Sequence, residues 1–171
     1  IYMIQIFDKI IAFGTLLLAA STILVIVSVF MDKQSPVVQL TKKYSTLIIF
    51  IISFLAMCIS LIYSNFFGYT PCYLCWFQRI FIYPSVLFSG IALYKKDNHI
   101  VSYIENLSWV GLVFSIYHNI TYYTGVSPLP CDVGASCTLH YVSEFGFVTI
   151  PFMALVSFIA VITVARIYKS K

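Results

Sequence analysis

The sequence predicts an all-α integral membrane protein, and three features of the chain support this fold class. Hydrophobic residues make up 61% of the chain and charged residues 9%, against roughly 25% charged residues in ordinary soluble proteins. Five apolar stretches approach or exceed the ~20 residues that a helix needs to cross a bilayer. None of them alternates polar and apolar residues as the strands of an outer-membrane barrel do. Because lipid offers the backbone no hydrogen-bond partner, such stretches are predicted to be helical.

Five spanning helices are predicted along the chain. They cover Ile10 to Phe30, Tyr44 to Ser64, Trp76 to Tyr94, Leu107 to Tyr123 and Phe147 to Ala165. The first stretch is longer than the apolar region of a secretory signal peptide, so we interpret it as a spanning helix. We expect residues 1–43 to hold this helix and a cytoplasmic loop. Residues 44–171 are expected to form a four-helix bundle with two external loops.

Lysine and arginine predict how the bundle is oriented. Most of the basic residues lie in the segments 31–43 and 95–106 and at the C-terminus. By the positive-inside rule, these three segments face the cytoplasm. The loops 65–75 and 124–146 contain no lysine or arginine and are therefore expected outside.

Both external loops contain a pair of cysteines. Cys72 and Cys75 form a C-x-x-C motif, and Cys131 and Cys137 lie in the stretch CDVGASC. Outside the membrane the compartment is oxidising, so each pair is expected as a disulfide. Three uses remain open from the residues alone: a redox relay, structural staples, or a zinc site of four cysteines. A relay is favoured, because short rings add little stability and a zinc site needs thiolates that stay reduced.

The residues around the first pair favour a reactive thiolate. Pro71 suits a first helical turn, which places Cys72 and Cys75 at the external N-terminus of the third spanning helix. The helix dipole and free backbone N–H groups stabilise a thiolate there. Arg79 follows Cys75 by one helical turn and is predicted on the same face, where its charge adds to this effect. The alternative for Arg79 is an interfacial arginine that reaches lipid phosphate.

Two further side chains lie within predicted helices. His118 is in the fourth helix, roughly 7 Å below its external end, and ionisable residues at such depth are functional candidates. A hydrogen-bonded core histidine is the alternative. Cys58 lies in the second helix without a predicted partner, and we interpret it as a small packing residue.

The order of these motifs resembles the DsbB family of membrane thiol:quinone oxidoreductases, in particular its BdbC-type branch. PCYLCWFQRI is followed by an intramembrane histidine and then by PLPCDVGASC. The resemblance covers roughly residues 46–166 and implies the family's four-helix transmembrane bundle, to which the helix at 10–30 is an addition. The spacing between the second pair of cysteines is shorter than in the proteobacterial members.

The resemblance implies a disulfide-generating membrane enzyme. Electrons would pass from a soluble or lipid-anchored DsbA-like thiol oxidase of the thioredoxin fold to the second cysteine pair. They would continue to the C-x-x-C pair and then to ubiquinone or menaquinone. Cys131 would be attacked by the partner, with Cys137 as its mate, and Cys72 would re-oxidise that pair. Cys75 would face the quinone.

The resemblance also implies quinone-binding residues and a location. Arg79 and His118 would bind the quinone, and Gln78 is a candidate supporting residue. The expected setting is the bacterial cytoplasmic membrane, with both cysteine loops outside, the C-terminus inside, and lipid but no nucleic acid or metal as further partners. A non-enzymatic membrane protein with structural disulfides in its external loops is the competing interpretation.

Overall fold

The computed structural model describes residues 2–32, 34–96, 99–125 and 142–169. Within these residues the named secondary-structure elements are all helical, which confirms the predicted all-α fold. The helices are α1 (Tyr2–Met31), α2 (Pro36–Lys43), α3 (Ser45–Leu61), α4 (Tyr73–Lys95), α5 (Ile100–Thr124) and α6 (Ile150–Lys169), and a π-helical turn, Ile62–Phe66, extends α3. In the described part of the chain, all of them except α2 are long and apolar enough to cross a membrane, as in a multi-pass membrane protein.

Helices α3 to α6 form the predicted bundle. α4 packs against α3 and α5, and α6 also packs against α3 and α5, so the four helices close a ring. Buried aliphatic side chains such as Ile49, Ile104 and Val161 fill its core. The remaining spanning helix, α1, lies against α6 on the outside of this ring. The arrangement is the expected four-helix bundle with one added N-terminal helix.

Three helical segments differ from the prediction, and one of them is α5, which begins at Ile100 instead of Leu107. α1 begins at Tyr2, well before the apolar stretch, and includes the buried Asp8, which accepts a hydrogen bond from the Tyr63 hydroxyl at 2.9 Å. α2 was predicted as loop. Ser35 caps it by accepting a hydrogen bond from the Val38 N–H at 3.4 Å, and Pro36 suits its first turn.

The end of the bundle opposite the C-x-x-C pair is held by charged residues. Glu105, buried near the start of α5, accepts hydrogen bonds from Arg166 Nε and Lys169 Nζ, both at 2.7 Å. The Arg166 guanidinium also lies over the ring of Trp109, 5.5 Å from its centroid. The end of α6 is thereby fixed to α5 by the basic residues that predict the cytoplasmic side.

Gly111 lets α5 and α6 approach each other closely. A Cβ atom at this position would overlap the ring of the buried Phe158. We expect Gly111→Ala to lower the free energy of unfolding by about 1 to 3 kcal/mol, the usual cost of overpacking a core. Thermal unfolding in detergent measures the change. Gly90→Ala is the matched control, because its Cβ would meet Phe50 at an ordinary 3.5 Å, and equal losses in both variants would contradict the prediction.

Candidate redox site

The C-x-x-C pair lies at the N-terminus of α4, as the sequence predicts. Cys72 is the N-cap residue, and its sulfur accepts a hydrogen bond from the Cys75 backbone N–H at 3.4 Å. Pro71 precedes this cap instead of lying in the first turn. The cap geometry brings both sulfur atoms to the end of the helix, where unpaired N–H groups favour negative charge.

The two thiols are close together but unequally accessible. Their sulfur atoms are 3.2 Å apart, and Cys72 donates a hydrogen bond to Cys75. Since a disulfide bond is about 2.05 Å long, a small approach suffices to join them. Cys72 is 5% exposed, whereas Cys75 is half-buried. Exchange at Cys72 therefore requires a reagent or loop to reach a buried sulfur.

The acidity of Cys72 follows from this contact. The hydrogen bond to Cys75, together with burial, raises the pKa of Cys72 to about 12, and the nearby His118 acts in the opposite direction. Cys72 in the reduced pair therefore keeps its proton at neutral pH. Its proton is shared with the Cys75 sulfur.

His118 is held against Cys72 by a neighbouring glutamine. It is 2% exposed on α5, and its Nε2 lies 3.7 Å from the Cys72 sulfur. Gln78 Nε2 lies 3.2 Å from His118 Nδ1. With the Gln78 amide nitrogen donating to Nδ1, the neutral ring carries its proton on Nε2, facing the sulfur. The contact to Cys72 was not predicted from the sequence, because it depends on how α4 and α5 pack.

Arg79 points into the bundle. Its Nε donates to Ser60 Oγ at 2.9 Å, and its Nη2 donates to the Ser60 carbonyl at 3.0 Å. Its guanidinium also lies 5.5 Å from the centroid of the Trp76 ring. These bonds join α4 to α3, so the interfacial alternative, in which Arg79 reaches lipid phosphate, is not favoured.

The predicted residues of the first loop and the helices share one cavity. Its volume is about 650 Å³, and its lining includes Cys72, Cys75, Arg79 and His118. The volume lies in the usual range for small-molecule sites. Most of the remaining wall is apolar and comes from α1, α3 and α6, and it includes Cys58. The cavity thus has a reactive polar side and a hydrocarbon side.

A metal ion has three potential ligands here. The ligand atoms of Cys72, Cys75 and His118 all lie within 4.8 Å of one another. Thiolate and imidazole ligands suit zinc, but a structural zinc site has four protein ligands. Cys131 and Cys137, the other half of the four-cysteine zinc alternative, lie outside the described residues. The exchange between the two cysteine pairs therefore stays a prediction.

The hydrogen bond between the two thiols should affect the pH at which Cys72 reacts with an alkylating reagent. Because this bond is the main cause of the high pKa of Cys72, we expect Cys75→Ala to lower that pKa. Alkylation of Cys72 should then set in at lower pH than in the reduced unaltered protein, since the thiolate is the reacting form. Mass spectrometry of alkylated protein over a pH series measures the midpoint. His118→Ala should move it to higher pH, and a midpoint that Cys75→Ala leaves unchanged would contradict the assignment.

Comparison with known proteins places these residues in a family. The family model described as "Disulfide bond formation protein DsbB" matches residues 42–167. A probable disulfide formation protein C 2 of Bacillus anthracis is 39% identical over 131 residues, which are 76% of this chain and 94% of the relative. Disulfide bond formation protein C of Bacillus subtilis (strain 168) is 38% identical over 116 residues, 66% of this chain and 83% of the relative. No solved structure matches the chain. The family match leaves α1 outside.

Proposed function

The chain belongs to the DsbB family of disulfide bond formation proteins, and from this premise we propose that it re-oxidises a thioredoxin-fold thiol oxidase and passes the electrons to quinone. Membership confirms the resemblance of the motifs and identifies a membrane disulfide oxidoreductase. The observation that carries the finer proposal is the position of the C-x-x-C pair, whose sulfurs line a largely apolar cavity. A lipid-soluble electron acceptor and a dithiol can meet there.

The first exchange uses the second cysteine pair. A thiolate of the soluble or lipid-anchored partner attacks Cys131 of the Cys131–Cys137 disulfide, and Cys137 leaves. The partner's second thiolate then displaces Cys131, so the partner gains a disulfide. The loop pair receives two electrons, and two protons pass from the partner's thiols to the loop pair or to water.

The second exchange returns the loop pair to its oxidised form. A loop thiolate attacks Cys72 of the Cys72–Cys75 disulfide, and Cys75 leaves at the helix N-terminus, where N–H groups stabilise its charge. The other loop thiolate then displaces Cys72. His118 faces the Cys72 sulfur with Nε2–H, so it stabilises the leaving thiolate by donating a hydrogen bond, while the proton that Cys72 takes up comes from a loop thiol or from water.

The cavity residues suit a quinone as the final acceptor. Quinone, when bound, accepts two electrons and two protons and so allows Cys72 and Cys75 to return to a disulfide. Arg79 lines the cavity with its guanidinium fixed by Ser60, which suits it to donate a charge-assisted hydrogen bond to a quinone oxygen. The apolar wall accommodates the hydrocarbon part of such a molecule. Either ubiquinone or menaquinone is compatible with these features.

The proposed orientation places this end of the bundle outside the cytoplasmic membrane. The charged cluster around Glu105 lies at the opposite end of α5 from His118, and lysine and arginine concentrate on the cytoplasmic side of membrane proteins. The soluble partner then meets the enzyme in the oxidising compartment, where newly exported proteins acquire their disulfides.

Trapping thiols in isolated membranes tests this function. Membranes are treated with an alkylating reagent while the quinone pool is kept oxidised by respiration or reduced by blocking the terminal oxidases. We expect Cys72 and Cys75 to be a disulfide in the first condition and alkylated thiols in the second. If the redox state of Cys72 and Cys75 is the same in both conditions, the competing interpretation is favoured, in which the external disulfides are structural.

A further inference from the structure

The N-terminal helix forms a wall of the redox cavity, although the family match begins after it, at residue 42. Six of its residues line the cavity: Phe7, Ile10, Ile11, Gly14, Thr15 and Leu18. Their spacing of three and four positions defines one face of a helix. α1 packs against α6, while α3 supplies the facing wall of the cavity through residues such as Ile51 and Leu55.

Gly14 leaves open space on this face. A Cβ atom added there would meet no atom of the described protein within 4 Å. A glycine inside a helix costs about 1 kcal/mol relative to alanine, and a frequent reason for accepting that cost is the close approach of another helix or of a ligand. Gly14 is exposed and lines the cavity, so a ligand in the cavity can approach the helix backbone there.

The depth of Gly14 in the membrane indicates which part of a bound ligand lies beside it. Asp8 bonds to Tyr63 near the outer end, and α1 and α3 run in opposite directions from there. With a rise of 1.5 Å per residue, Gly14 lies about 9 Å below this level, and Ser60, which binds Arg79, about 4.5 Å below it. Gly14 is therefore deeper in the membrane than the polar side of the cavity.

The outer end of α1 is tied to the segment that leads to the cysteines. Asp8 and Tyr63 are both buried, and their hydrogen bond measures 2.9 Å. Tyr63 stacks on Tyr69 with 5.8 Å between ring centroids, and Phe7 packs edge-on against Tyr63 at 5.6 Å. These contacts hold α1 in register with the cavity, so its inner face has a fixed position relative to Cys72.

We propose that α1 is part of the quinone site and that its inner face around Gly14 binds the hydrocarbon tail. The inference rests on the proposed function, in which quinone is the electron acceptor. The ring lies at the polar side with Cys75 and Arg79, and the tail runs inward between α1 and α3. Affinity for long-tailed quinones therefore depends on α1, whereas affinity for a quinone without a tail does not.

Two substitutions at Gly14 test this division. Gly14→Leu and Gly14→Phe fill the space that the tail would occupy. Binding is measured by quenching of tryptophan fluorescence, with a long-chain menaquinone and with a benzoquinone that lacks a tail. We expect the Kd for the long-chain quinone to rise about tenfold, the equivalent of roughly two buried methylene groups. The Kd for the tailless quinone should stay unchanged.

Controls separate this role from a structural one. Leucine is a better helix former than glycine, so Gly14→Leu should keep or raise the thermal stability while it weakens binding. Ala20→Leu adds similar bulk on the side of α1 that faces away from the cavity, where Ala20 is exposed, and should bind both quinones normally. If Gly14→Leu binds the long-chain quinone as tightly as the unaltered protein does, the role of α1 is overturned and the proposed function is not affected. Failure of the unaltered protein to bind either quinone would overturn the proposed function itself.

Discussion

Serine in place of Cys131 or Cys137 is expected to abolish oxidation of the protein partner while electrons still pass from a small dithiol to quinone. The second pair is proposed to serve the protein partner, and the pair at the N-terminus of α4 to serve the cavity. A small dithiol does not need the loop, because it is small enough to enter the cavity that Cys72 and Cys75 line. Loss of one loop cysteine therefore interrupts the relay at its first step.

Purified variants in lipid vesicles measure both activities. Partner oxidation is followed by trapping its thiols, and quinone reduction by the absorbance of the quinone. Cys72→Ser provides the contrast, because it removes the pair that both routes share and should lose both activities. A Cys131→Ser or Cys137→Ser protein that oxidises the partner at the normal rate would show that the order of the relay is wrong.

Arg79→Ala is expected to weaken the apparent affinity for quinone about ten- to hundred-fold. The apparent affinity for the partner protein should change less. The loss of one charge-assisted hydrogen bond is worth about 1.5 to 3 kcal/mol. The guanidinium is held by two hydrogen bonds to Ser60 at the cavity wall. The guanidinium is therefore already in position before the quinone binds, so little binding free energy is spent on reorganising this side chain.

The measurement is the dependence of the initial rate on quinone concentration, at saturating and at limiting partner. Arg166→Ala is the matched control, since it removes an arginine at the opposite end of the bundle, where its partner is Glu105. It should leave the quinone dependence unchanged. An unchanged dependence in Arg79→Ala as well would return Arg79 to a role in joining α3 to α4.

The membrane architecture could be predicted because the lipid bilayer restricts the conformation of each apolar stretch independently of the rest of the chain. A long apolar stretch has few options besides a helix, so all five spanning helices were found with their order. The start of α4 was predicted from Pro71 and the end of the apolar stretch, to within the usual error at helix ends. The C-x-x-C pair could be placed at this end for the same reason.

Contacts between helices could not be predicted in the same way. The distance from His118 to Cys72, the bond from Gln78 to His118 and the anchoring of Arg79 by Ser60 depend on the rotation and depth of three helices. These quantities leave little trace in a chain whose helices are apolar on almost every face. The sequence therefore placed His118 at the right depth without identifying its neighbours.

The full length of α1 and its position beside the cavity were not predicted, because they involve a buried pair of residues. Asp8 interrupts the apolar pattern, so the predicted helix began only after it. Its partner Tyr63 is distant in the sequence, and their hydrogen bond joins the outer part of α1 to a residue of the cavity wall. A carboxylate near the outer end of a predicted spanning helix was the available signal, because such a group needs a partner within the protein.

The central claim is that electrons from the partner's thiols leave the protein through Cys75 to quinone. The most direct test reconstitutes the protein in lipid with a reduced thioredoxin-fold oxidase and excess quinone, without oxygen, and compares disulfides formed with quinone consumed. The account predicts one quinone reduced for each disulfide formed, and neither product with Cys75→Ser. Disulfide formation without quinone consumption, or undiminished turnover in Cys75→Ser, would contradict it.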